Sequence, residues 1–356
     1  MISVSDPSLR DALTEGVSLG VTQSLPGPGK LRAREEKALS EVALARADLA
    51  AAESDLAADI AAAAYRHALA RRKLEINAER ASLLRSASEG ALARYASGGG
   101  TQADVLASQT ALTENDLERQ TIEQEQAIAG DRLASLLGGD PPQELVDRLS
   151  LPAVGPAPEL DPLLRELREG APRMRAARAR EAAEDAGASV ARSDLRPDFS
   201  VGLRYRHRDP TMGGGDYLTA SVGMTLPFFN RKRRYQPALQ EALTRAEASR
   251  FESEETFNRL RFELLESLRA AERDRRSCGL LDGALLPQAR QTFEAALAAY
   301  GSGQNDFNAL LSALTALYDF EGQAAEALAG YHVSLARIGA LLGRPPGTAP
   351  TEGSRP

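Results

Sequence analysis

The sequence contains no tryptophan, one cysteine and few aromatic residues, and each shortage narrows the choice of structure. Aromatic residues make up only 5% of the 356 residues. A single thiol, Cys278, cannot form an internal disulfide, and we interpret it as a small packed side chain. No run of about 18 apolar residues is present, so we expect no transmembrane helix. The N-terminus lacks the charged and apolar segments of a signal peptide.

Residues suited to catalysis or to holding a metal are also scarce. His67, His207 and His332 are far apart and lack clustered cysteine or acidic partners, so we expect no metal site and no cofactor. No Ser/His/Asp or Cys/His arrangement stands out. We therefore predict no catalytic residue, and we do not expect an enzyme.

Binding of nucleotides or nucleic acids has little support. Pro26-Gly-Pro-Gly-Lys30 resembles a phosphate loop only distantly, because the first glycine and the hydroxyl residue after lysine are missing. The net charge of −7 argues against nucleic acid as a partner, since a phosphate-binding face normally shows a basic excess.

Alanine is abundant, and residues 31–89 contain neither glycine nor proline, which predicts one helix over 30–97, about 100 Å long. Small and apolar residues step by four and three along its first half, a pattern that predicts a coiled-coil seam. The seam residues are Ala38, Val42, Ala45, Leu49, Ala52 and Leu56.

Further helices follow from the same reasoning. We predict a second long helix over 231–300, with a bend near Pro287, because proline removes a helical hydrogen bond. Sharp glycine turns follow both long helices. The remaining predicted helices are the return helices 102–137 and 305–342, the helix 172–195, and a short helix near 161–169 within the connector 138–170.

The chain is built from a duplicated unit. Tyr95-Ala-Ser-Gly98 recurs 205 positions later as Tyr300-Gly-Ser-Gly303, and Leu136-Leu-Gly138 recurs as Leu341-Leu-Gly343. A period this long indicates a duplicated domain-sized unit rather than a solenoid. We assign residues 1–150 to the first repeat, 151–347 to the second repeat with a β-hairpin at 198–227, and 348–356 to a disordered tail.

Three segments, 17–26, 198–208 and 217–226, alternate between apolar and polar residues with period two, which predicts strands. Such strands are typical of transmembrane β-barrels, although a half-buried strand of a soluble protein shows the same alternation. Taken alone, the strands slightly favour the soluble interpretation, and the long helices between them favour the barrel. The residues assigned to the lipid face are Val17, Leu19, Val21, Val201, Leu203, Leu218, Val222 and Met224.

In their order and duplication these motifs resemble the TolC family of outer-membrane efflux channels. The shared order begins with a strand bounded by proline, a very long helix and a Tyr-x-x-Gly turn. A return helix that contains Asp104-Val-Leu106 follows, and a Leu-Leu-Gly-x-x-Pro motif ends the unit. Arg196-Pro-Asp-Phe-Ser200 resembles the start of the family's second strand hairpin. Leu25-Pro-Gly-Pro-Gly-Lys30 resembles the branch associated with heavy-metal export.

The resemblance implies a mainly α protein with a small β part, assembled as a homotrimer. Each chain would give four strands to one outer-membrane β-barrel, in contact with outer-membrane lipid, and its helices to a periplasmic α-barrel. One chain cannot close such a barrel, because three or four strands leave open edges. The implied function is a passive exit duct of a tripartite efflux system, with a periplasmic adaptor protein and an inner-membrane transporter as partners. The alternative is a periplasmic adaptor or coiled-coil scaffold, although adaptors lack duplicated strand hairpins.

The resemblance also assigns roles to the two turns. Tyr95 and Gly98 in the first turn, and Tyr300 and Gly303 in the second, would form periplasmic tips that meet the adaptor, with Asp104 as the pore constriction charge. Asp104 alone matches the family's acidic tip positions, since those of the second tip fall on Ala309 and Ser312. The alternative role for Asp104 is a first-turn acid favoured by the helix dipole.

The family's first unit begins with a signal peptide and an ascending helix, for which residues 1–15 are too few. We therefore expect this chain to be truncated, and to remain in the cytoplasm when expressed as written. We also expect an uncovered apolar stripe near the start of the first long helix.

Overall fold

The computed structural model describes residues 18–156, 158–207, 216–302, 304 and 307–344. The predictions for Val17, Gly303 and the tail 348–356 lie outside these residues. The described chain is mainly helical with one small antiparallel sheet, so the predicted fold class is confirmed. No described helix combines the length and apolar character needed to span a bilayer.

The elements follow the predicted order. The strands are β1 (Ser18–Leu25), β2 (Phe199–Arg206) and β3 (Tyr217–Met224). The helices are α1 (Lys30–Ala96), α2 (Gln102–Leu137), α3 (Gln143–Arg148), α4 (Leu160–Gly170), α5 (Pro172–Ser193), α6 (Gln236–Leu280), α7 (Leu286–Gly301) and α8 (Phe307–Leu342). A 3-10 turn (Pro227–Asn230) and a π turn (Arg231–Tyr235) precede α6, and a second π turn (Leu281–Leu285) precedes α7.

The predicted helix boundaries agree with the structure to within about two residues, except that α6 begins at Gln236 after the π turn Arg231–Tyr235 and that α3 was not predicted. The second long helix is interrupted where proline was expected to disturb it, since the π turn Leu281–Leu285 lies just before Pro287. A π turn shifts the hydrogen-bond ladder by one residue, which accommodates the donor that proline lacks. The bend itself stays a prediction.

By its internal contacts the chain forms two compact units, residues 1–48 with 175–256 and residues 49–174 with 257–356. Each unit takes segments from both sequence repeats, so the units are not the repeats. The division into repeats therefore stays a prediction.

The first unit contains the sheet, whose strand order is β1-β2-β3 with both pairs antiparallel. β1 comes from the first repeat, and the β2–β3 hairpin comes from the second. Among the described residues the outer edges of β1 and β3 carry no further strand.

In the second unit the connector helix α4 anchors the main apolar cluster. Leu163 and Leu167 stand four residues apart on one face of α4 and are 3% and 0% exposed. They pack against Leu260 and Leu264 of α6 and against the end of α8. Burying one such leucine contributes about 1.5–3 kcal/mol, so the connector fastens the helices at this point.

A buried asparagine pair fixes how α1 and α2 align within the same unit. The side-chain amides of Asn77 and Asn115 exchange hydrogen bonds of 3.2 Å, and both residues are almost fully buried. A slip of either helix would leave two polar groups unsatisfied in the core, at a cost of about 1–3 kcal/mol for each. The pair therefore specifies one register.

The predicted coiled-coil seam does not face the interior of this chain. Val42, Leu49 and Leu56 are 48%, 60% and 44% exposed, and the seam alanines are exposed as well. Ala33 and Leu44, on the adjoining face, turn inward. The described residues of this chain do not cover the seam, so its coiled-coil pairing stays a prediction. The uncovered stripe expected on α1 is confirmed by the same residues.

The two Leu-Leu-Gly helix ends provide a matched test of the duplicated plan. Gly138 and Gly343 have φ angles of 77° and 73°, in the left-handed region that favours glycine. A Cβ atom at Gly138 would meet nothing within 4 Å, whereas one at Gly343 would lie 2.7 Å from the ring of Pro172. We expect Gly138→Ala to lower the free energy of unfolding by about 1 kcal/mol, and Gly343→Ala by about 2–4 kcal/mol. Urea unfolding followed by circular dichroism measures both, and equal losses would contradict the Pro172 contact.

Candidate functional site

The sheet separates apolar from polar residues on its two faces. The pairing brings Leu19 opposite Tyr205, Val21 opposite Leu203 and Val201 opposite Val222, and residues paired across strands share a face. All described residues predicted to face lipid therefore lie on one face. Their exposures are Leu19 62%, Val21 64%, Val201 47%, Leu203 52%, Leu218 65%, Val222 80% and Met224 52%.

The opposite face carries small polar residues and arginines. A Cβ atom at Gly202 would lie 2.7 Å from the hydroxyl oxygen of Ser221 and 3.1 Å from that of Thr22. Glycine is thus required where hydroxyl groups of the two neighbouring strands converge. Arg204 and Arg206 extend from the same face. The polar face is therefore suited to contact with water, whereas the apolar face is suited to contact with an apolar environment.

Polar side chains link β2 to β3 next to the segment 208–215. The Tyr205 hydroxyl donates to one carboxylate oxygen of Asp216 at 2.7 Å, and His207 Nδ1 lies 2.6 Å from the other. His207 thus has an acidic partner, which the sequence analysis did not foresee. Charge-assisted bonds of this length hold the hairpin ends together.

At the other end of the strands an ion pair joins two strand–helix corners. Lys30, the first residue of α1, is 3% exposed, and its Nζ lies 2.8 Å from Asp198 Oδ1. The same oxygen accepts a 2.8 Å hydrogen bond from the Gly27 backbone N–H. Lys30 therefore serves the junction between β1, α1 and β2 rather than a phosphate. The motif comparison singled out this lysine but missed its role, although Asp198 in the Arg-Pro-Asp motif was the available signal.

The corner around Lys30 and Asp198 is tightly packed, and its hydrogen bonds lower the pKa of Asp198. A Cβ atom at Gly27 would lie 2.2 Å from the Pro197 carbonyl oxygen, so only glycine fits there. The hydrogen bonds from Lys30 and from the Gly27 N–H hold the pKa of the Asp198 carboxyl below its usual range. Asp198 is thus held as a carboxylate.

In the second unit the ends of α1 and α7 meet at the two predicted turns. Arg94 donates to the carbonyl oxygens of Tyr300 and Gly99, and its guanidinium lies 4.7 Å above the Tyr300 ring. Gly98 has a φ angle of 75°, which explains the glycine in the first turn. Arg94 is the contact that ties the first turn to the second, and the sequence analysis did not single it out.

The two tyrosines of the duplicated turn motif differ in environment. Tyr300 is 7% exposed and packs edge-on against Phe307, with a ring separation of 5.4 Å, whereas Tyr95 is 48% exposed. Burial raises the pKa of the Tyr300 hydroxyl. Ala91 and Leu310 complete this small core. Tyr95 and Tyr300 therefore occupy equivalent positions in the motif but pack differently. Of the two, only Tyr95 is exposed enough for a role at the surface.

Asp104 lies in the first turn of α2 and helps to cap that helix. Its carboxylate accepts a 3.1 Å hydrogen bond from the Thr101 backbone N–H, while the Thr101 hydroxyl accepts from the Asp104 N–H at 3.2 Å. This is a capping box at the start of α2. The interpretation of Asp104 as a first-turn acid is thus confirmed, and its role in a pore stays a prediction.

The isolated cysteine and two of the histidines sit in packed surroundings. His332 is 8% exposed, stacks on Tyr65 at 5.2 Å and bonds to the Pro152 carbonyl at 2.7 Å. Burial lowers the pKa of His332 and of His67, and raises that of the Cys278 thiol. Within the described ranges no three His, Cys, Asp or Glu side chains converge as metal ligands would.

Comparison with known proteins identifies a family and individual relatives of this chain. The family model for outer membrane efflux proteins matches residues 3–139 and 163–344. Protein CyaE of Bordetella pertussis is 31% identical over 208 residues, which cover 52% of this chain and 42% of CyaE. The cobalt-zinc-cadmium resistance protein CzcC of Cupriavidus metallidurans is 27% identical over 318 residues, 89% of this chain and 74% of CzcC. The chain thus spans less than half of CyaE.

A solved structure supports the fold. The outer-membrane channel OprN superimposes with a TM-score of 0.81 and 22% sequence identity, over 96% of this chain and 79% of OprN. The family model and OprN are named for efflux and channel proteins rather than for enzymes.

The Lys30–Asp198 pair gives a prediction for stability against pH. Asp198→Asn keeps an acceptor for the Gly27 N–H but removes the charge opposite buried Lys30, so we expect a loss of about 1–3 kcal/mol at neutral pH. Because the folded-state pKa of Asp198 is lowered, the carboxylate stabilises the fold above the unfolded pKa of about 3.9. That contribution is lost as the pH falls through the lower folded value, so the difference between wild type and variant should vanish there.

The control for this test is Asp194→Asn. Asp194 lies 3.8 Å from Lys30 and 3.9 Å from Arg34, so its removal should cost less than about 1 kcal/mol. Thermal unfolding in mild detergent at neutral and acid pH compares the variants. A difference at Asp198 that persisted in acid would contradict the assignment.

Proposed function

Because this chain belongs to the outer membrane efflux protein family, we propose that it is the outer-membrane channel component of a tripartite efflux system. In this role it is a passive exit duct for substrates that an inner-membrane pump exports. The observation that carries the proposal is the sheet, whose apolar face is exposed while the opposite face is polar. This arrangement fits a barrel wall with lipid outside and water inside.

The open edges of the sheet support assembly as a homotrimer. Backbone groups on the outer edges of β1 and β3 find no strand partner among the described residues, and unpaired groups in hydrocarbon cost several kcal/mol each. Strands of neighbouring copies would satisfy them. The exposed stripe of α1, including Val42, Leu49 and Leu56, provides further apolar surface for such contacts.

The partners follow from the same role. A duct has no energy source of its own, so transport is coupled to an inner-membrane transporter through a periplasmic adaptor protein. The helices lie in the periplasm, and the strands lie in the outer membrane. The likeness to CzcC, which is named for cobalt, zinc and cadmium resistance, supports the heavy-metal export branch. The family match across both repeats leaves the adaptor and scaffold alternatives without support.

The turns after α1 and α7 are the candidate periplasmic tips. Gly98, Tyr95 and the tied Arg94–Tyr300 contact present a compact end for the adaptor to meet. Asp104 is the candidate constriction charge, since three copies in a trimer would bring three carboxylates together. Its capping bond to Thr101 occupies one carboxylate oxygen, which leaves the negative charge available.

Single-channel recording tests the duct directly. The full chain, reconstituted in a planar bilayer, should produce ion conductance with weak selectivity, because a lumen of serine, glycine, threonine and arginine discriminates little. Stable insertion without conductance would contradict the proposal.

The lipid face is tested by a pair of adjacent residues on β3. Val222→Arg places a charge on the apolar face two residues before the end of β3, where we expect a cost between about 1 kcal/mol, as near the interface, and about 4 kcal/mol, as at the midplane. Ser221→Arg places the same charge on the polar face and should be tolerated. Folding into phospholipid vesicles, followed by urea titration, measures both free energies. Equal tolerance of the two variants would count against a barrel wall.

Two substitutions separate the structural role of Asp104 from its electrostatic one. Asp104→Asn keeps an oxygen that can accept from the Thr101 N–H but removes the charge, whereas Asp104→Ala removes both. We expect both variants to lose block of the conductance by divalent cations. Only Asp104→Ala should also destabilise α2, by about 0.5–2 kcal/mol. Unchanged block in Asp104→Asn would remove Asp104 from the constriction.

A further inference from the structure

Immediately after β3 the chain passes from the apolar face of the sheet into a run of cations. Leu226 and Phe229 are 39% and 76% exposed. Residues 231–234 read Arg-Lys-Arg-Arg and are all exposed. They are the first four residues of the π turn Arg231–Tyr235 that precedes α6. We call these four residues the basic turn.

The basic turn has no acidic partner in the part of the chain that the structure describes. None of its four side chains forms an ion pair there, whereas Arg245 and Arg250, a little further along α6, pair with Glu241 and Asp185. No aspartate or glutamate occurs between Asp216 and Glu241. Four positive charges without acidic partners thus lie within about one helical turn. Consecutive residues of a helix point about 100° apart, so the four charges are spread around the turn and attract anions from all sides.

An apolar cleft lies beside the basic turn within the same unit. Its volume is 360 Å³, and five of its six lining residues are apolar. The sixth is Arg231, a member of the basic turn. The lining residues are Leu195, Pro197, Met224, Leu226, Pro227 and Arg231. Met224 also belongs to the apolar face of the sheet, so the cleft continues that face.

The geometry points to a binding surface for an anionic phospholipid, with the headgroup phosphate against the basic turn and the first methylenes of an acyl chain in the cleft. This inference rests on the proposed function, because it requires the sheet to lie in a bilayer. β3 has eight residues, roughly 27 Å at 3.4 Å per residue, and about 20 Å of bilayer height when tilted by about 40°. The apolar band of such barrels is about 25 Å tall, so β3 spans most of it, and we infer that the residues after Met224 lie at its edge, next to the headgroups.

The chemistry of the basic turn suits that position. Arginine binds phosphate through two parallel N–H bonds, and guanidinium groups give up water more readily than ammonium groups. Tyr235, half-buried at the end of the turn, lies 5.8 Å from the Arg234 guanidinium. Tyrosine is enriched at membrane interfaces. The strand ends that lead into helices are thus suited to the headgroup region of a leaflet that contains anionic lipid.

The test compares lipids that differ only in headgroup charge. The full chain is reconstituted in phosphatidylcholine vesicles with spin-labelled phosphatidylglycerol or spin-labelled phosphatidylcholine, and the motionally restricted fraction gives the selectivity. We expect wild type to prefer phosphatidylglycerol severalfold. Arg231→Gln should lower this preference by up to about fivefold, since one cation near the surface contributes roughly that factor. Replacing all four residues 231–234 by glutamine should abolish it.

A control variant removes the same charge elsewhere. Glutamine at four exposed helical arginines, Arg85, Arg261, Arg269 and Arg276, should leave the lipid preference intact. Conductance is recorded for every variant. Wild type that conducts but shows no preference, or a preference equally reduced in the control, would overturn the lipid site and leave the duct in place. Failure of wild type to insert or conduct would overturn the proposed function, and the lipid site with it.

Discussion

The unpaired edges of the sheet are the constraint on which the rest of the architecture depends. Three strands can hydrogen-bond to one another, yet the outer edges of β1 and β3 remain open within the described residues. In water such edges invite aggregation, and in lipid they are prohibitively costly. In the proposed trimer, strands of other copies would close both edges, and the exposed apolar face would contact lipid. The same reasoning applies to the uncovered residues of α1, which no described part of the chain buries.

The Lys30–Asp198 pair shows how the chain sets which face of the sheet is apolar. A shift of one residue in the pairing of β1 with β2 would turn every apolar side chain to the opposite face. Asp198 immediately precedes β2 and binds both Lys30 and the Gly27 N–H, on the segment that leaves β1. The register of β1 on β2 is therefore fixed at the corner by a charged contact. The polar face strengthens the choice, because the hydroxyls around Gly202 leave no room for a larger residue.

The sequence predicted where the helices and strands lie, but it did not predict which residues their side chains contact. α1 and α2 could be bounded to about one residue because glycines at 98–100 and Gly138 interrupt otherwise continuous helical stretches. The inward face of α1 could not be chosen, since alanine occurs all around the helix and periodicity then carries little information. The strand faces could be assigned because side chains alternate along a strand, so that every second residue lies on the same face. The phosphate-loop interpretation of Lys30 was rejected from the sequence, but its structural role was not predicted, because its partner Asp198 lies 168 positions away.

The repeated turn motif explains why the positions of the two turns could be predicted from the sequence and why their side-chain packing could not. A repeated motif predicts repeated backbone, and both turns do follow the ends of long helices. Side-chain packing has diverged, however, because Arg94 covers Tyr300 while Tyr95 stays exposed. The first turn also carries a capping box through Asp104, where the second repeat has Ala309. A carboxylate that already stabilises a helix start is held in a defined orientation. In the proposed channel, this fixed orientation would hold the Asp104 charge at one point of the passage.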